Sequence, residues 1–419
     1  MQSSPMEPAL CGGTAQRASK CGGERAAGLT CAASVPDASN RRSGASGRFM
    51  LLLISFLLHG YVGWRIAADL PGGGWAALYL VLVGCSAILM PMTLMARRWR
   101  RPPWTDRLAW AGSLAMGLFS SLFVLTLLRD VGLLMAWPFG ARTALAMPSA
   151  VAVPLVALAV TAWGFVNARR TAAVVSVDVP IDGLPAALHG FTIVQISDIH
   201  VGPTIKRPYL RRIVDAVNAI GADMVAVTGD LVDGPVPELS EHVAPLATLA
   251  SRHGTFFVTG NHEYYSGAPA WVAELQRLGL TVLMNEHVVL EHGAASLVVA
   301  GVADPSAHHF EPSHRSDPAA AIAGAPDDAG VRVLLAHQPR SADGAERVGF
   351  DLQLSGHTHG GQFLPWNLFV PLQQPFTAGL HRLRRLWVYT SRGTGYWGPP
   401  KRFGAPSEIT RLRLVPTLG

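Results

Sequence analysis

Four apolar stretches, Phe49 to Ala68, Trp75 to Ala96, Leu108 to Leu128 and Ala146 to Val166, constrain this chain more than any other feature. Each approaches the ~20 residues that cross a bilayer as a helix. Helices buried in a soluble core rarely stay apolar on every face for that length, so the stretches read as transmembrane spans. Arg65 and His59 are the ionisable side chains within them, and Arg65 sits near a span end, where its guanidinium snorkels to the interface.

Beyond about Ala168 polar and apolar segments alternate as in a soluble α/β (layered α+β) domain. The expected organisation is a disordered leader over 1–48, four membrane helices over 49–168, and a soluble domain over 169–419. Basic residues stay preferentially in cytoplasmic loops. Arg41, Arg42 and Arg48 precede the first span, the loop 97–107 reads RRWRRPPWTDR, and Arg169 and Arg170 follow the fourth span. Both termini and the soluble domain are therefore expected on the cytoplasmic side of the inner (cytoplasmic) membrane, and no short cleavable signal is read at the start.

The net charge of +6 is largely explained by these membrane-flanking arginines near anionic headgroups, so a lipid membrane rather than nucleic acid is the expected partner. Cys85 falls inside a helix, and Cys11, Cys21 and Cys31 lie in a Gly/Ala/Ser-rich leader, spaced like no metal site and no disulfide framework. The sequence leaves the oligomeric state open.

Within the soluble domain a single arrangement recurs: a short β-branched run stops at a polar residue. FTIVQIS leads into Asp198 and His200, MVAVTG into Asp230, and TFFVTG into Asn261, His262 and Glu263. VRVLLA leads into His337, and LQLSG into His357 and His359. Such runs read as buried strands, with helical patterns at 208–220 and 269–278 between them. Taken singly, Asp198 reads as a helix cap and His337 or His262 as a satisfied core histidine. Repetition at successive strand ends reads otherwise, because open α/β sheets bind ligands outside the carboxyl ends of their strands. His, Asp and Asn offer a mixed nitrogen and oxygen set, suited to Mn, Fe or Zn. His308, His309 and His314, in a Pro-containing loop, read as solvated surface.

The ordered motifs SDIH (197–200), GDLVDG (229–234), GNHE (260–263), AHQP (336–339) and GHTHGG (356–361) resemble the calcineurin-like metallophosphoesterase superfamily from about Val175 onward. The ending YTSRGTGYWGPPKRF further resembles a bacterial phosphodiesterase branch that includes UDP-2,3-diacylglucosamine pyrophosphatase activity. That branch usually has Pro-Glu-Ile where this chain has Ser407, Glu408 and Ile409. The resemblance implies a two-sheet sandwich flanked by helices and two divalent metal ions. It implies that Asp198, His200 and His359 hold one metal, that Asn261, His337 and His357 hold the other, and that Asp230 bridges them. It makes His262 a phosphate-facing catalytic group and requires no protein nucleophile, since two metals clamp the phosphoryl group and activate water.

The expected activity is hydrolysis of a phosphodiester or pyrophosphate bond, on a lipid-linked substrate. The alternatives are a phosphoprotein or small-molecule phosphomonoesterase and a membrane sensor or transporter, the latter disfavoured by the scarcity of ionisable residues in the spans. The uncharged segment FLPWNLFVPL, residues 363–372, follows the last motif and favours a bilayer interface. Arg382, Arg384 and Arg385, together with Arg392 nearer the metals, are expected to hold an anionic headgroup or diphosphate.

Overall fold

The structure, a computed structural model, describes residues 38–96 and 103–417. Its first helices are α1 (Ala38–Ala67), α2 (Gly73–Ala96), α3 (Trp104–Ala136) and α4 (Arg142–Arg169). All four are long and apolar enough to cross a membrane. Val62, Ile66, Val83, Phe119, Leu122 and Val153 pack inside the bundle, while Leu57, Leu82, Leu128 and Trp163 stay exposed on its outer faces, as lipid-facing side chains do.

Two spans differ from the expectation. Helix α1 begins at Ala38, inside the stretch read as disordered, because adding residues to an existing helix costs far less than nucleating one. Residues 1–37 and 97–102, with the leader cysteines and the arginines of the α2–α3 loop, lie outside the described residues. Helix α3 runs eight residues past Leu128 to Ala136 and brings in Arg129 and Asp130. The spans thus hold more charge than their apolar cores suggested. It is paired charge: Arg65 Nε and Nη2 donate to Asp130 at 2.7 and 2.8 Å, and Arg129, almost fully buried, donates to Asp69.

The soluble domain contains β1 (Ala173–Ile181), β2 (Thr192–Ile196), α5 (Arg207–Asn218), β3 (Met224–Val227), α6 (Val236–Val243) and β4 (Thr255–Phe257). After these come α7 (Asn261–Ser266), α8 (Ala268–Arg277), β5 (Thr281–Val282), β6 (Glu286–His292), β7 (Ala295–Gly301) and α9 (Pro318–Ile322). The chain ends with β8 (Val331–Leu335), α10 (Ala342–Arg347), β9 (Leu352–Ser355), β10 (Gly379–Leu383), β11 (Leu386–Thr390) and β12 (Glu408–Pro416). One sheet has the order β1-β12-β2-β3-β4-β5 and the other β10-β11-β9-β8-β7-β6. Strands β2 to β5 are mutually parallel, as are β7, β8, β9 and β11.

Alternation along each strand builds the layers. In β2, Ile193, with its neighbour Met224 of β3, faces the second sheet and meets Val299, Val333 and Leu354 there, while Val194 and Ile196 face Leu210, Ile213 and Trp271 of the covering helices. Leu334 and Val388 turn to the outer face of the second sheet, against Ala345 and Phe350. The result is helices, sheet, sheet, helices, the layered α+β sandwich expected. Strands β2, β3 and β4 of one sheet and β8 and β9 of the other deliver their carboxyl ends to one place.

Candidate metal centre

The loops after β2 and β3 are zipped together: the amide of Asp198 donates to Gly229 O at 3.0 Å and that of His200 to Asp230 O at 3.1 Å. Asp198 also spans the two sheets, its carboxylate accepting from the His357 amide at 3.0 Å. The glycines of the motifs answer to this crowding. A Cβ on Gly260 would lie 2.2 Å from Asp230 Oδ1, and one on Gly356 2.2 Å from Asp198 Oδ2. Among the described residues, eight non-glycines have positive φ, and five of them are Asp198, His200, Asp230, His357 and His359. A non-glycine residue there costs about 1–3 kcal/mol, and such strain concentrates at functional sites.

The side chains converge. Asp198, His200 and His359 form one group able to hold a cation, and Asp230, His337 and His357 another. His200 Nε2 lies 3.1 Å from His359 Nε2, and His357 Nδ1 lies 3.2 Å from His337 Nε2. Asp230 Oδ2 sits between the groups, 3.1 Å from His337 Nε2 and 3.9 Å from His200 Nε2. Asn261 Oδ1 is buried and without a hydrogen-bond partner. An orphaned buried acceptor beside converging imidazole nitrogens and carboxylates fits divalent cations, since buried polar atoms otherwise find partners.

Outer contacts fix these rings. His337 Nδ1 lies 2.7 Å from Thr228 O, which aims Nε2 at Asp230. Asp233, which sequence reasoning missed, faces Nδ1 of His200 at 3.2 Å and Nδ1 of His262 at 2.5 Å. Its signal was the three-residue spacing from Asp230 in GDLVDG. His200, Asp233 and His262 constitute a third grouping with ligand-like spacing. Glu263 is fully buried and accepts from the amides of Gly260, Asp230, Leu231 and Val232 at 2.7 to 3.3 Å, fastening α7 to the loop after β3.

The electrostatics are those of a closely faced set of carboxylates and imidazoles. Burial raises the Asp230 pKa, but the charges of His337, His262 and His200 outweigh it and hold the carboxyl well below its usual range. Burial lowers that of His337, but the charge of Asp230 reverses the effect and lifts it well above the usual value. For His262, burial is likewise outweighed by the Asp233 hydrogen bond and the Asp230 charge, and the pKa rises to about 8.

The expected arginines are placed less centrally. Arg392 lies against Gly360, and its Nη1 donates to Glu408 Oε2 at 2.7 Å. Arg382 pairs with Asp182 and Arg384 with Glu346. Both arginines sit where β10 turns into β11, whereas the end of β11 that lies beside the ligands is Thr390, paired with Ser355. Those two arginines therefore do not converge on the centre. Ser407, in place of the usual proline, is buried and donates to Gly395 O at 3.1 Å, so the departure stays in the closing turn.

A cavity of about 520 Å³ opens beside the centre. Asp233, His262 and Tyr265 form one wall, and Thr93, Thr105 and Asp106 from the ends of α2 and α3 form another. Lys206 Nζ bridges to Asp106 at 3.1 Å.

The family description "Calcineurin-like phosphoesterase" matches residues 191–361. A Danio rerio "Transmembrane protein with metallophosphoesterase domain" is 34% identical over 394 residues, covering 88% of this chain and 89% of its own length. The chain belongs to the calcineurin-like phosphoesterase family. The Bos taurus protein of the same description is 39% identical over 312 residues, 70% of each chain, and an uncharacterized metallophosphoesterase of Helicobacter pylori is 41% identical over 229 residues, 54% of this chain and 60% of its own. Membership makes this a membrane-associated metallophosphoesterase, a hydrolase of phosphate esters that uses divalent metals.

Proposed function

We propose that this calcineurin-like phosphoesterase holds two divalent cations and hydrolyses a phosphodiester or pyrophosphate bond in a lipid-linked substrate at the cytoplasmic face of the inner membrane. Asp198, His200 and His359 would hold one cation, Asn261, His337 and His357 the other, and Asp230 would serve both. Bound there, the cations supply Lewis acidity toward a phosphoryl oxygen and an acidified water.

The protein's own groups do the rest. His262 has Nδ1 committed to Asp233, so its Nε2 carries a proton toward the leaving oxygen or stabilises charge on the phosphoryl group. Its ring stands 5.3 Å from Tyr265 and 5.7 Å from Trp397, both half exposed or more, which form an aromatic rim for the substrate.

The observation that carries the lipid-linked reading is the cavity walled on one side by His262 and on the other by the ends of α2 and α3. A substrate entering it passes the membrane helices. The 363–372 segment supports the same reading: Trp366 Nε1 donates to Ser120 Oγ of α3 at 2.8 Å, while Leu364, Leu368, Phe369 and Leu372 stay exposed rather than covering a core. The test is full-length protein in lipid nanodiscs, loaded with Mn²⁺ and offered bis(p-nitrophenyl) phosphate, p-nitrophenyl phosphate, a phosphoserine peptide and a lipid-linked diphosphate. The expected order favours the diester and the diphosphate. Preference for the phosphopeptide would overturn the proposed specificity.

A further inference from the structure

The segment after Trp397 connects the metal centre to the membrane bundle. Lys401 is 1% exposed, and its Nζ donates to Gly117 O at 2.9 Å and to Ser121 Oγ on α3, and to Thr161 Oγ1 on α4 at 3.3 Å. The Arg402 amide donates to Gly164 O of α4 at 2.9 Å, and its carbonyl accepts from Asn167 Nδ2 at 3.3 Å. The slot depends on small residues: a Cβ on Gly164 would lie 2.7 Å from Lys401 Cγ, and one on Gly117 3.3 Å from Pro399 Cβ.

The Arg402 side chain points the other way, into the centre. Fully buried, it donates through Nη1 to His359 O at 2.9 Å and Arg392 O at 2.7 Å, and through Nη2 to Gly395 O at 2.6 Å. Its Nη2 also lies 3.1 Å from His359 Nδ1. Burying a guanidinium is costly, and bonds to carbonyl oxygens return less than a carboxylate would. What it holds includes strained backbone: His359 and Gln362, which flank Gly360 and Gly361, are non-glycines with positive φ of 52° and 57°. Such a run persists only where the surroundings over-determine it. Gln362 is bound to the same segment, donating to Trp397 O at 2.9 Å and Pro399 O at 3.0 Å.

We propose that Arg402 is a positioning residue for His359 and that α3 and α4 set its place through the Lys401 slot, which makes the membrane bundle a structural part of the metal centre rather than a tether. This rests on the reading that His359 holds a cation.

The test uses full-length protein in nanodiscs, stripped by chelation and titrated with Mn²⁺, with free Mn²⁺ read by electron paramagnetic resonance. Arg402→Gln weakens one of the two sites about 10- to 100-fold, as loss of a contact behind a metal ligand does. Lys401→Met and Gly164→Val, which touch no metal ligand, weaken the same site about tenfold, within that range. Val62→Ala, on α1 and away from the slot, lowers the unfolding temperature and leaves Mn²⁺ affinity unchanged. Wild-type affinity in Arg402→Gln overturns the positioning role. Wild-type affinity in both Lys401→Met and Gly164→Val overturns the coupling, as does an equal loss in Val62→Ala. Wild-type protein that binds no Mn²⁺ overturns the metal-centre reading and this inference with it.

Discussion

Asp233 Oδ1 lies 2.5 Å from His262 Nδ1, and this contact turns the other ring nitrogen toward Asp230, whose Oδ2 is 3.9 Å from His262 Nε2. The carboxylate thus fixes both the orientation of the ring and the nitrogen left to face a phosphate. His262→Ala should lower kcat by about 10² or more while two metals stay bound, because a positioned acid or charge stabiliser contributes on that scale. Asp233→Ala, which also removes the partner of His200 Nδ1, should lower kcat likewise and weaken the site that His200 serves. Asp230→Asn should abolish turnover and lower metal content, since one carboxylate serves both cations. Metal analysis of the three purified variants separates the roles, and a metal loss in His262→Ala equal to that in Asp230→Asn would make His262 a ligand.

Glu263 gives a stability prediction. Each of its carboxylate oxygens faces two backbone amides in a fully buried position. Glu263→Gln sets an amide donor against two of those donors. Two buried donors without partners cost about 2 to 6 kcal/mol, or a fall of roughly 4 to 24 °C in unfolding temperature for a domain of this size. Calorimetry on metal-free protein checks it, and an unchanged transition would show that water replaces the lost acceptor.

The five ligand-bearing strands, β2, β3, β4, β8 and β9, were legible because each is a short apolar run that ends at a polar residue, and they fall within FTIVQIS, MVAVTG, TFFVTG, VRVLLA and LQLSG. The expected ligands meet because those strands share a carboxyl edge across two sheets. Long-range partners were less legible. Asp233 carries no motif of its own, and Arg402 reaches His359 across 43 positions of sequence. The arginines of the β10–β11 turn misled for the same reason: closeness in sequence to GHTHGG said nothing about which end of the strand they occupy. The charges at the end of α3 lay just past the apolar run and were excluded with it.

Those charges make a closed set. Arg129 donates to Asp69, to Ser149 Oγ at 2.9 Å and to Arg65 O at 3.0 Å, while Arg65 holds Asp130. Arg129→Leu takes the cation from Asp69, whose side chain stays about one third exposed, and should destabilise the bundle by roughly 1 to 3 kcal/mol, the scale of lost charge-assisted hydrogen bonds rather than of a fully buried pair. The double change Arg129→Leu with Asp69→Asn should recover some of that loss. Thermal unfolding in nanodiscs measures both, and a double variant no better than the single one would deny the pairing its role.

The proposed orientation rests on charge and chain continuity. Thr93 and Thr105, which flank the arginine-rich α2–α3 loop, line the cavity beside His262, so the loop starts and ends on the side of the catalytic domain. The positive-inside rule predicts the cytoplasm for that side, the orientation proposed above. A reporter active only in the periplasm, fused after Gly419, should stay silent. A strong periplasmic signal would reverse the topology and make exported molecules the substrates.

The 363–372 segment decides whether the substrate comes from the membrane. Phe363 is buried, but Leu364, Trp366, Leu368, Phe369 and Leu372 are each 40% exposed or more, which sets this segment apart from a lid packed over a core. Ser120, the partner of Trp366, lies sixteen positions after the start of α3 at Trp104, about 24 Å along the helix axis at ~1.5 Å per residue. Helix α3 has 33 residues, ~50 Å, against the ~30 Å of a hydrocarbon core, so roughly 20 Å of it extends beyond. If that excess lies on the catalytic side, Trp366 falls at the level of the interface, where tryptophan is favoured. Replacing Trp366 and Phe369 together by Ser should therefore leave hydrolysis of bis(p-nitrophenyl) phosphate within about twofold, a change of only ~0.4 kcal/mol in barrier. The same variant should lose about tenfold or more on a lipid-linked diphosphate in vesicles, where the segment brings the centre to the bilayer surface and raises effective concentration. Equal loss on both substrates, with a lowered unfolding temperature, would make the segment a structural element and remove its support for a lipid substrate.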